Sequence, residues 1–503
     1  DGIRDIGVTG VQTCALPILL GKCSVDAIVT VDATSMTSGQ LSAVNANMSK
    51  VDSLVNLSVG SALTAAELQG LLQNSTSVVV TATGMDVTKL NVLAAYANKI
   101  AANGILGTLA LSKDVNNLSG LLAKAHADAT VNVDASGMTV QQLHDVAGGI
   151  GAVDAVSNLS LTAATVAADI DALLSKASGA VANATGMNQA QLTKLGLRAG
   201  SIASNGITGD VVVDETVGNQ ADLFGKIAVA ANVTVNAGSM DAAALAFIDG
   251  VIAKVDLING LHLTSAQDKD RMGRLLAKSA AASSYADGTG MSSAAGNQLA
   301  VMGDNSSRFA AGGITGTFTV TGALTAAQLD GLLSKVFAGS SFVTSATVTV
   351  NASGMTNAQL SAVAGNIAAV DLILSLTVSQ AQTAAQLQAL LSVTGNNQAN
   401  VNATGMTAAQ LAQVANAAGP VNQVTGTVVV TAGLTSAQIQ ALMGTVSTSA
   451  TVTVNTTGMS AQQQAAVYSA AILEVKSQQA VKVNDVNSLI TVEFNVSGLP
   501  AAV

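Results

Sequence analysis

The side chains able to do chemistry in this sequence are few and widely spaced. Three histidines, His126, His144 and His262, fall in separate stretches of a 503-residue chain. A metal centre or catalytic dyad needs neighbouring donors, and no spacing brings these three together, so each reads as a lone solvent-facing ring. There is no G-x-S-x-G elbow, H-E-x-x-H pair, P-loop or EF-hand loop, and "GGIG" at 148–151 lacks the strand-to-helix setting of a dinucleotide fingerprint. The reading is therefore non-enzymatic, with no cofactor and no metal. Four aspartates do recur: Asp52, Asp154 and Asp256 stand 102 residues apart and Asp371 follows 115 later. One carboxylate per double repeat is too few oxygens for calcium, so these are expected to bond backbone at a helix-to-strand turn. Nine methionines, Met36, Met85, Met138, Met187, Met240, Met291, Met355, Met406 and Met459, hold one register of a recurring phrase. That register suits a core slot between sheet and helix rather than a soft-metal store.

The phrase that positions them is "VTVNASGMTNAQL" at 348–360. Val348 and Val350 alternate with Thr347, Thr349 and Asn351, the period-two signature of a strand buried on one face. Glycine precedes the methionine in seven of nine copies, which suits a turn requiring positive φ. Thr356 followed by Gln359 is a capping box, repeated at Thr37/Gln40, Thr64/Glu67, Thr139/Gln142, Thr325/Gln328, Thr383/Gln386, Thr407/Gln410 and Thr435/Gln438. Leu360, Val363 and Ile367 continue at helical spacing. Because "TAAQL" occurs both inside and between Met phrases, each unit of about 50 residues divides into two half-repeats of about 25. Strand, helix and strand in such short alternation must run parallel through right-handed crossovers. The fold class is α/β: an open right-handed solenoid with one long parallel sheet and helices on one side.

Units start near 27, 77, 129, 179, 231, 281, 345, 398 and 448, giving a single repeat solenoid over 19–499. Residues 491–503 read as the truncated start of a further repeat. Residues 7–18, "GVTGVQTCALPI", match no repeat and are similar to the translation of a common sequencing adapter. Residues 1–18 are thus read as an assembly artefact without a fold, a genuine N-terminal arm being the other reading. Setting them aside leaves Cys23 as the lone cysteine, which excludes an intrachain disulfide framework.

Composition narrows the functional classes. Charged residues are only 10%, and 20 basic against 30 acidic side chains give a net charge of −10, without the basic face a nucleic-acid partner requires. No apolar run is long enough to span a membrane; the best stretch, 93–112, is broken by Lys99 and Asn103.

"VTVNASGM" resembles the L-x-L-x-x-N-x-L core of leucine-rich repeats, with Val348, Val350 and Met355 in the apolar slots. "LVNLSV" (54–59), "VSNLSL" (156–161), "INGLHL" (258–263) and "ILSLTV" (373–378) resemble L-x-x-L-x-L. Ser353, Thr404 or Thr457 replaces the ladder asparagine of that family. In composition the chain resembles the Ala/Gly/Thr-rich tandem arrays of giant bacterial secreted and surface proteins. That resemblance implies a structural or adhesive spacer, extracellular or at the cell surface. Its partners would be surface or matrix components or further repeats of the same chain. The alternative is a binding solenoid whose open sheet face, lined by Thr347, Thr349, Asn351, Ser375, Thr377, Thr451, Thr453 and Asn455, takes a glycan, ice or a protein. An irregular region, holding Arg271, Arg274, Arg308, Phe318, Phe337 and Phe342, is the second candidate contact surface.

Overall fold

A computed structural model describes residues 5–8, 16–23, 27–294, 296–336, 346–447, 449–476, 482–485 and 491–493. They fall into two compact units, Asp1–Val235 with Ala253–Asp256, and Asn236–Ile252 with Leu257–Val503. The repeat pattern itself runs through both units as a single series over 19–499. In a repeat array each element touches mainly its neighbours, so compactness extends over only part of the chain.

Both units use the same half-repeat. In the first, strands Ile28–Asp32, Val78–Thr81, Thr130–Asp134 and Ala180–Asn183 each lead into a short helix. In the second, Ser284–Asp287, Thr347–Asn351 and Ala399–Asn402 do the same, while Thr451–Val454 leads into the longer helix Ala461–Lys476. Each strand pairs in parallel with the next in sequence, and within each unit successive helices pack side by side. The result is a stacked α/β solenoid. Its core is the alternating strand face set against helix residues three and four apart: Val348, Val350, Leu360 and Val363 are all at most 1% exposed. Each such side chain contributes about 1.5–3 kcal/mol by leaving water.

The parallel ladder runs as a series of short sheets, mostly three-stranded, with single parallel bridges such as Leu54 to Ser75 and Ile373 to Thr394 between them. "ILSLTVS" is two strands, Leu372–Leu374 and Leu376–Val378, parted by Ser375 at φ +53°. Asn56, Asn158 and Gly260 break the other second-type strands at φ +55°, +53° and +63°. A single left-handed residue swings the ladder: the part before it pairs with the preceding strand, the part after it with the following one. Glycine and asparagine reach this conformation most easily, which explains their recurrence there.

The seven glycines before methionine all have positive φ, and Ser35, which replaces one, is at φ +59°. Six of the nine phrase methionines are buried, from 5% to 8% exposed, while Met36, Met138 and Met355 are half-buried. All eight capping boxes form as expected.

Two end segments differ from expectation. Within 1–18, where no fold was expected, Asp5–Val8 pairs in parallel with Ile28–Asp32, and the helix Leu16–Lys22 begins. Strand addition uses backbone groups, so an open sheet edge accepts almost any extended segment. At the other end, Thr491–Glu493 pairs antiparallel with Lys482–Asp485 rather than as a further parallel repeat strand. The five positions between them, 486–490, are too few for a parallel crossover of about a dozen residues.

Candidate functional site

The repeated polar side chains act chiefly on neighbouring repeats. Asp52 Oδ2 accepts from the Val29 N–H at 2.7 Å, and the Asp52 N–H donates to the Val29 carbonyl at 2.9 Å. The Asp154–Val131, Asp256–Val233 and Asp371–Val348 pairs repeat this reciprocal contact at 2.7–2.8 Å through the carboxylate. The expected aspartate–backbone bond is therefore present, and it reaches across to the preceding strand. The carboxylate stands in for the carbonyl that a parallel ladder would otherwise offer there.

Glutamine at the third helical position does more than close the capping box. Gln410 Oε1 accepts from the Thr407 N–H at 2.8 Å, while its Nε2 donates to the carbonyls of Gln380 at 3.0 Å and Gln382 at 2.5 Å. Gln191, Gln298, Gln359 and Gln463 likewise donate to two carbonyls of the preceding turn. Only an amide both accepts and donates in this way. At the sites where leucine-rich repeats carry their ladder asparagine, threonine takes over. Thr404 Oγ1 accepts from the Thr427 N–H at 3.1 Å, and Thr83, Thr185 and Thr289 accept from Thr108, Asp210 and Thr317 at 2.9–3.0 Å.

The open face is narrower than the sequence implied. Thr347 pairs with Thr317, Thr349 with Thr319 and Asn351 with Thr321, a hydroxyl-rich ladder two strands wide. On its far side Thr349 and Asn351 face Leu372 and Leu374, which interrupt it. Thr377 is exposed beside Asn400, Thr451 lies opposite Thr427, and half-buried Thr453 lies opposite Val429. Ser375 is exposed at the left-handed break, outside any ladder. Asn351 and Asn455 close the strand-exit turn, their Oδ1 atoms accepting from Ser353 and Thr457 at 3.2 and 3.0 Å.

Among the described residues of the irregular region, one ring is buried and the arginines have partners within the fold. Phe318 is 4% exposed, and it points inward because alternation places Thr317 and Thr319 outside. Phe337 and Phe342 lie outside the described residues. Arg274 donates to both carboxylate oxygens of Asp249 at 2.6 and 2.7 Å, with Arg271 Nε 3.6 Å from the same group. These guanidiniums, Arg274 first, hold the Asp249 carboxyl below its ordinary range. Arg308 donates to the Ser279 carbonyl at 2.7 Å. The arginines thus tie helices and turns together.

His144 was expected to stand alone, yet its Nδ1 lies 2.8 Å from Asp169 Oδ2 on the next helix, Ala167–Leu174. The Asp169 hydrogen bond and charge raise the His144 pKa. The separation of 25 residues, one half-repeat, was the available sign of this contact. Among the described residues no group of three or more His, Cys, Asp or Glu side chains could hold a metal ion. No described helix is long and apolar enough to cross a membrane.

No protein-family model and no curated protein matches this chain. A solved structure, the complex of Rad7 and Elc1 in yeast, aligns over 88% of this chain and 86% of that one at 9% identity. The TM-score is 0.17, too low to carry an argument.

Proposed function

We propose that the chain is a non-catalytic structural or adhesive segment of a large bacterial extracellular or cell-surface protein, built as a leucine-rich-repeat-like solenoid. The observation that supports this reading is the use made of the recurring polar residues. The Asp–Val and Gln–carbonyl contacts join one repeat to the previous one, which is what a long self-supporting body needs. Its partners would be further repeats of the same chain or components of a surface or matrix. Residues 1–18 are read as foreign to it. Sequencing the native gene through both ends of this segment tests the proposal. More repeats, with a secretion signal and an anchor or export domain, are expected; a catalytic domain joined to the repeats would contradict it.

A second reading, a binding solenoid, is favoured by the Thr317–Thr347 and Thr319–Thr349 ladder, with Thr317, Thr319 and Thr347 exposed and Thr349 half-buried. Saturable binding of a ligand that is lost on Thr349→Lys would support it over a passive spacer.

A further inference from the structure

One position in the repeat departs from its counterparts in a way that points to a ligand. The strands His262–Leu263 and Ser284–Asp287 pair so that His262 stands beside Tyr285. Both side chains face away from the core; Tyr285 is 50% exposed. The same pairing elsewhere places Ser58 beside Val79, Ser160 beside Val181 and Thr377 beside Asn400. Among the described residues, only this copy puts two rings side by side. On the far side of Tyr285 the register slips, with Ser284 opposite Phe309 and Ala286 opposite Ile314. The intervening bulge, Ala310, Ala311, Gly312 and Gly313, carries nothing larger than a methyl group. The tyrosine is thus flanked by a second ring on one side and a low shelf on the other.

We propose that Tyr285 and His262 form a binding platform for a neutral saccharide, the C–H face of a pyranose lying on the rings. This rests on the reading of the open face as a binding surface and names its ligand class. A tyrosine ring has an apolar body and a polar tip, which suits a sugar with one C–H face and a hydroxyl rim. His262 brings a nitrogen donor or acceptor, and half-buried Asp287, two residues along the same face, brings a carboxylate for hydroxyl groups. Beyond the shelf the next strand, Thr317–Thr321, begins the hydroxyl ladder with Thr347–Asn351, so a longer chain of sugars would continue onto threonines. The net charge of −10 favours a neutral saccharide over an anionic one.

The test is calorimetric titration of the full chain with cellohexaose, chitohexaose and, as an anionic comparison, hexagalacturonate. Saturable binding of a neutral hexasaccharide is expected, weakened about tenfold or more by Tyr285→Ala and little changed by Tyr285→Phe. Both substitutions are on an exposed side chain, and circular dichroism of each variant checks that the fold persists. Binding that survives Tyr285→Ala but is lost in Thr349→Lys would overturn the platform while keeping the open face as a binding surface. Preference for the anionic sugar would also overturn the platform. No saturation with any of the three would overturn both the platform and the binding reading.

Discussion

Replacing Gln410 by Glu separates the two jobs of that side chain. The carboxylate still accepts from the Thr407 N–H, so the capping box survives. What is lost is donation to the Gln380 and Gln382 carbonyls, from a side chain only 7% exposed. Leaving a buried acceptor without its partner costs about 1–3 kcal/mol, and here two carbonyls would also face a negative charge. The expected local loss is therefore about 2–4 kcal/mol. Gln386→Glu is the matched control. Gln386 closes the box with Thr383 through the same two bonds, and a carboxylate in a first helical turn is favoured, so its change should stay within about 0.5 kcal/mol. Global unfolding is a poor gauge in a repeat array, where cooperativity breaks down, so hydrogen exchange resolved to 376–416 is the assay. A loss of about 2 kcal/mol corresponds to exchange about 30-fold faster. Acidification that protonates the buried Glu would restore one donor and shrink the difference. Equal exchange in Gln410→Glu and Gln386→Glu would refute the idea that Gln410 holds successive repeats together.

Three further outcomes follow from the same structure. Asp371→Ala removes the charged acceptor of the Val348 N–H and should cost about 1.5–3 kcal/mol, read as faster exchange at the start of strand Thr347–Asn351 with its far end less affected. Met406→Ala empties a slot that is 6% exposed and should cost about 2–5 kcal/mol in local exchange, more than Met355→Ala at a half-buried site. The raised pKa of His144 stabilises the protonated pair with Asp169. That contribution is complete below the unfolded value near 6.5 and fades as pH rises through the higher folded value. An NMR titration should show the raised value returning toward normal in Asp169→Asn.

The sequence carried what is local. Thr356 and Gln359 lie three residues apart, so their reciprocal bonds follow from helix geometry alone, and alternation in 347–351 fixed which residues are inside. What it did not carry depends on how one turn lies on the next. The second donation of Gln410 is set by stacking, and the breaks at Asn56 and Ser375 sit in stretches whose apolar pattern reads as unbroken strand. Three further features do have a sign in the sequence. Phe318 lies between Thr317 and Thr319 and so had to face inward. His144 and Asp169 are one half-repeat apart. The 25-residue register also sets His262 and Tyr285 side by side, at 23 residues' separation, on the outward positions of adjacent strands.

Pulling single molecules of the full chain from both ends tests most directly whether it is a spacer that holds by neighbour contacts. A half-repeat of about 25 residues releases about 9 nm of extended chain at ~3.6 Å per residue. Stepwise lengthening in multiples of about 9 nm, refolding in the same increments, is the expected record. Release of the whole length in one cooperative event would contradict it.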